Sequence, residues 1–159
     1  MKKYRLEFEF VPEECWYSNL RSVLKSEDWD RVRKDAYARA KGRCMICGAS
    51  ERLEAHESWS YDDEKKLQKL ETVVALCRGC HEVKHISRAY LVGRGADAME
   101  HFMKVNGCSQ MEYHEALSEA HEEYKRRNRV EGWVTDKIGK RRVGKECVCQ
   151  CRSRWSPYH

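Results

Sequence analysis

Apolar and polar positions alternate at the start of the chain. Tyr4, Leu6, Phe8 and Phe10 are separated by Arg5, Glu7 and Glu9, a period of two that predicts a half-buried strand ending near Pro12. "CWYSNLRSVL" has no clear period and fits no more than a short helix. From Ser26 the period turns helical, with Trp29, Val32, Ala36, Tyr37 and Ala40 on one face of "SEDWDRVRKDAYARAKG". Ser26 is the expected cap, Glu27 and Asp28 suit the positive end of the dipole, and Gly42 is the stop. Past Cys44 the chain reads as strands again, "RLEAHESW" and "ETVVALC", with an acidic turn and a short polar helix, "DDEKKLQKL", between them. A helix follows Cys77 to about Tyr90, and "GRGAD" resets the chain. Met99, Phe102, Met103 and Val105 mark a further helix closed by Gly107. Ser109 and Glu112 form a capping-box pattern that opens a long charged helix to about Arg129. The last thirty residues have no helical period.

No internal repeat or low-complexity linker divides the chain, so residues 1–159 are read as a single α+β domain. Residues 1–42 give an N-terminal strand and helix, 43–90 a core, 91–130 a helical flank and 131–159 a basic, cysteine-containing tail. No apolar run approaches the roughly 18 residues of a membrane span. The opening "MKKYRLEFEF" also lacks the apolar stretch of a secretory signal, so no membrane is expected and the cytoplasm is the default location. The net charge of +5 is unevenly spread. Lys125 to His159 holds eleven Lys/Arg against three acids, whereas the preceding residues hold 20 against 23. A basic end of that kind suits a polyanion such as nucleic acid, and also an ordinary solvated tail.

Nine cysteines are many for a reducing compartment, where paired cysteines favour metal binding over disulfides. Cys44-Met45-Ile46-Cys47 and Cys77-Arg78-Gly79-Cys80 form two C-x-x-C knuckles, and Gly48 suits the tight turn after the first. Two knuckles complete a four-thiolate tetrahedral zinc site with no position open to water, which makes the ion structural. "HEVKH", residues 81–85, also fits the zinc-protease pattern H-E-x-x-H. Cys80 is already committed to a knuckle, however, and the pattern is short enough to match by chance. Cys147, Cys149 and Cys151 alternate near the end. With Cys15, Cys108 or His159 they would make a second metal site, against the plainer reading of a basic tail with reactive thiols. Trp133, Trp155 and Tyr158 among the basic residues suit base stacking, or packing of the tail onto the domain.

The order Cys44-x-x-Cys47-Gly48, then His56 on a strand, then Leu76-Cys77-x-x-Cys80-His81-x-x-Lys84-His85, resembles the HNH endonuclease family. The wider stretches "WDRVRKDAYARAKGRCMICG", "LEAHESWSYDD" and "ALCRGCHEVKHISRA" resemble a bacterial and phage branch of it. The resemblance implies a ββα-metal core in which two strands and a helix hold one divalent ion against a phosphodiester of DNA. By position it makes His56 the general base, His81 a metal ligand, and His85 a second ligand one turn on. Lys84, with Lys140, Arg141 and Arg142 of the tail, would contact nucleic acid. The implied cofactors are structural zinc and a catalytic divalent ion such as manganese, magnesium or nickel. The chain departs from the family at two places: Ala55 stands where a ligand usually precedes the base, and Thr72 stands where an asparagine usually helps to position it. Two imidazoles are a thin set for magnesium, which prefers oxygen, so Glu57, Asp62 or Asp63 is the expected source of a carboxylate. Glu57 should point away from His56 if the strand is regular. The alternative function is an inactive zinc module that binds nucleic acid or a protein partner, as an anti-defence or regulatory protein would.

Overall fold

A computed structural model describes residues 3–16 and 18–136. The architecture is α+β: a three-stranded sheet in the order β1-β2-β3 with helices on both of its faces. Strands β1 (Leu53–Asp62) and β2 (Leu67–Cys77) form an antiparallel hairpin. Helix α1 (Leu20–Val23) and helix α2 (Ser26–Ala40) precede it. Helices α3 (Arg78–Lys84), α4 (Ile86–Leu91), α5 (Gly95–Asn106) and α6 (Gln110–Asn128) follow it. Strand β3 (Val134–Asp136) returns to pair parallel with the start of β2.

The hairpin is longer than expected, and the polar helix between its strands is absent. Asp62 Oδ1 accepts the backbone N–H groups of Glu64 and Lys65, and Lys66 takes a left-handed conformation, which closes the turn so that Asp62 pairs with Leu67. "LQKL" is therefore strand, with Gln68 and Leu70 facing inward. A bulge then shifts the phase: Ser58 pairs with Thr72 but Trp59 with Leu70, and beyond it Val73 and Ala75 are the buried residues. Buried Gln68 donates to the Tyr61 hydroxyl and accepts from Thr135 Oγ1, which ties β3 to the hairpin.

Strand alternation gives the hairpin two working faces. Ala55 and Trp59 pack with Leu20, Leu24, Val32, Ala36, Leu70 and Val73, which seats α1 and α2. Helix α2 covers the expected span, although Lys25 rather than Ser26 holds the N-cap position and makes no side-chain cap bond. The larger core lies on the other side, where Leu76, Val83, Ile86, Ala98, Phe102 and Tyr113 bring β2 and α3 to α6 together. The helix expected from Cys77 to Tyr90 is broken at His85, whose ψ of 51° is not helical. At α6 the expected capping box is present in full, with Ser109 Oγ accepting from Glu112 N and Glu112 Oε1 from Ser109 N.

The N-terminal segment is not a strand. It lies over α5 and α6 without a sheet neighbour, Leu6 is buried, and Phe8 stacks on Phe102 with ring centroids 4.8 Å apart. Its backbone is satisfied by a side chain instead: Asn106 accepts the Leu6 N–H and donates to the Leu6 carbonyl, both at 2.9 Å. Asn106→Ala leaves both groups without that partner, and a loss of about 1–3 kcal/mol is expected. Urea denaturation checks it, as a lower midpoint with an unchanged slope.

Candidate metal centres

Two clusters of side chains that could hold a metal ion stand beside the β1–β2 hairpin and α3. In the first, one sulfur from each of Cys44, Cys47, Cys77 and Cys80 lies within 4.8 Å of the other three. The knuckles close locally: Gly48 N–H donates to the Cys44 carbonyl, Gly48 takes a φ of +79°, and the Cys80 N–H points at Cys77 Sγ. A further bond, from Met45 N–H to the Ala75 carbonyl, fastens the first knuckle to β2. The hydrogen bond from Cys80 depresses the Cys44 thiol to about 3, and the same bond, with burial, raises Cys80 far above the thiol range. Burial raises Cys77 as well. Thiolates this close cannot all ionise against one another unless a cation joins them. The four cysteines could thus hold a metal ion such as zinc.

His101, on α5, adds a contact that spacing alone does not suggest. Its Nε2 lies 3.2 Å from Cys80 Sγ and 4.0 Å from Cys77 Sγ. Its ring fills the space a side chain would need at position 79, since a Cβ there would come within 2.6 Å of Nδ1. Gly79 is thus the residue that lets α5 approach the knuckle.

The second cluster is His56, His81 and His85, whose nitrogens again come within 4.8 Å of one another. His56 stands on β1 and is 5% exposed, His81 lies in the first turn of α3, and His85 occupies the break after it. The three ring centroids are separated by 5.3, 5.1 and 4.8 Å, and the rings meet edge-on at 71–74°. Two carboxylates stand behind them. Glu9 Oε2 is 2.7 Å from His56 Nε2, and Glu54 Oε1 is 2.9 Å from His81 Nδ1. Burial lowers the His81 pKa against the pull of Glu54. His85 keeps one edge in solvent, but packing on its inner side, then His56 and His81, push it down to about 4. At neutral pH both rings are uncharged and offer a lone pair.

No known protein family, curated protein or solved structure matches this chain.

The expected oxygen donors lie elsewhere. Glu57 accepts the Leu20 N–H at 2.6 Å on the opposite face of β1, as strand alternation requires. Asp62 caps the hairpin turn, and Asp63 pairs with Arg126 and Arg127. Glu82, the base that an H-E-x-x-H protease would need, is engaged by Arg78 and Arg94. Lys84 is largely covered, with its ammonium 3.8 Å from Glu9. Tyr61 packs against Trp133 and beneath Arg127. Lys140, Arg141, Arg142, Cys147, Cys149 and Cys151, with Trp155, Tyr158 and His159, lie outside the described residues. Among the described residues no helix is long and apolar enough to cross a membrane.

Proposed function

We propose that this chain is a metal-dependent phosphodiester hydrolase of the HNH type acting on DNA, with structural zinc at the four cysteines. The reading is carried by one observation: His56 from β1 meets His81 and His85 from the helical arm that the zinc knuckle anchors. A hairpin, a helix and a set of histidines between them are the parts that the sequence resemblance requires.

The donor set fits a divalent ion. Three imidazoles, two of them backed by carboxylates, suit zinc, nickel or manganese better than magnesium. Under this reading His56 serves the ion, where the resemblance alone would give it to the water. The ion, when bound, supplies Lewis-acid polarisation of a phosphoryl oxygen. The protein's own residues hold and orient. Glu54 fixes the His81 ring, and the cysteine knuckle sets the start of α3 on which His81 stands. Arg88 is exposed on α4, close enough for its charge to disfavour protonation of His81 and His85, and its guanidinium could meet a phosphate.

The test is nicking of supercoiled plasmid by the zinc-loaded protein with manganese, nickel or magnesium. Cleavage is expected with the softer ions and should be lost in His56→Ala, which removes one of the three ligands. A second reading, binding of nucleic acid without cleavage, is favoured by the fact that Glu57, Asp62 and Asp63 all face other partners. Intact plasmid with every ion, together with a retarded band on a gel, would decide for it.

A further inference from the structure

Glu9 belongs to no motif, yet it is the acid most firmly built into the histidine cluster. Its side chain is only 13% exposed. One oxygen meets His56 Nε2 at 2.7 Å and lies 3.8 Å from the Lys84 ammonium. The other accepts the Trp59 backbone N–H at 3.3 Å. We infer that Glu9 is a positioning residue of this site: it accepts the Nε2–H of His56 and so leaves Nδ1 as the nitrogen that donates to a divalent ion. The inference rests on the reading of the cluster as a metal centre and goes beyond it, because it assigns a tautomer, a donor atom and a carboxylate from outside the ββα unit.

A carboxylate can only accept, so a neutral imidazole facing it must carry its proton on the facing nitrogen. The remaining nitrogen then holds the lone pair. Glu54 applies the same constraint to His81 in the opposite sense, since it faces Nδ1 and leaves Nε2. The two rings thus present different nitrogens to the space between them. Carboxylates behind ligating histidines set ring orientation and basicity in this manner, and their removal typically weakens metal binding about 10–100-fold. The Glu9 carboxylate is held before any ion arrives: Trp59 anchors it from β1, Lys84 from α3, and the Leu6–Asn106 bonds fix the segment that carries it.

Two measurements on the full-length, zinc-loaded protein test this. Long-range proton–nitrogen NMR at neutral pH, without added nickel, should show His56 as the Nε2–H tautomer. The Nδ1–H tautomer would overturn the proposal, and this reading needs no variant. Titration with nickel chloride against a competing chelator should then give one equivalent bound beyond the zinc, with an affinity about 10–100-fold weaker in Glu9→Gln. Retained zinc content and an unchanged circular dichroism spectrum certify that the variant is folded. Should it lose either, the wild-type tautomer decides alone. Equal nickel affinity in the two proteins overturns the role of Glu9 and leaves the metal centre standing. Wild-type protein that takes up no nickel beyond the zinc overturns both.

Discussion

Cys80→Ser is expected to abolish cooperative folding of this protein. The four-sulfur cluster does more than decorate the hairpin. Cys44, Cys77 and Cys80 are themselves members of the larger core, buried beside Leu76 and Val83. The knuckle they close joins three parts of the chain: the segment after α2, the end of β2 and the start of α3. An ion in a structural thiolate site contributes apparent binding energies of roughly 10–16 kcal/mol to folding. That equals or exceeds the roughly 5–15 kcal/mol by which a domain is stable at all. Losing the ion also leaves three sulfurs crowded in the core with no cation to join them. Serine keeps the volume but offers a hard, neutral oxygen in place of a soft thiolate. The expected outcome is less than stoichiometric zinc, collapse of amide dispersion in the NMR spectrum, and no sigmoidal transition in urea. A variant that unfolds with the wild-type midpoint would show that the cluster contributes nothing to the fold. Treatment of the wild type with a strong chelator should reproduce the same state, reversibly on return of zinc.

How much of this was legible beforehand depended on how local the cause was. The knuckles could be read from spacing because each closes within a few residues, through Gly48 N–H to the Cys44 carbonyl and Cys80 N–H to Cys77 Sγ. The α6 capping box is equally local. The sequence suggests a polar helix here because Leu67 and Leu70 stand three apart, a helical spacing, and the bulge after Leu70 hides the strand period across the whole of β2. The expected N-terminal strand is absent for a different reason. A period of two records alternate burial, and a helical surface can provide that burial as well as a sheet can. Leu6 found Asn106 in place of a neighbouring strand. The site's supporting groups left no sequence signal at all. Glu9 meets His56 across 47 positions, Glu54 meets His81 across 27, and His101 meets Cys80 across 21. Such pairs are created by topology, and no spacing rule within one stretch of chain can announce them.

Topology is also why the largest purely apolar effect should fall at Phe102. The ring is fully buried at the centre of an aromatic group, 5.3 Å from Tyr4, 4.8 Å and parallel to Phe8, and 5.3 Å and edge-on to Tyr113. Phe102→Ala removes all three contacts and opens a cavity that rigid neighbours on α5 and α6 cannot fill. The expected cost is about 3–5 kcal/mol, seen as a lower urea midpoint with little change in slope. Phe102→Leu should cost less, because it refills part of the space without the ring pairing. The effect should also reach the histidine site. Phe8, which leans on Phe102, immediately precedes Glu9, so a loosened segment holds its carboxylate less firmly against His56. Nickel affinity of the folded Phe102→Ala protein should therefore fall in the same direction as in Glu9→Gln, by a smaller factor. If stability falls while nickel affinity does not move, Glu9 is held by Trp59 and Lys84 alone, and the aromatic group serves only the fold.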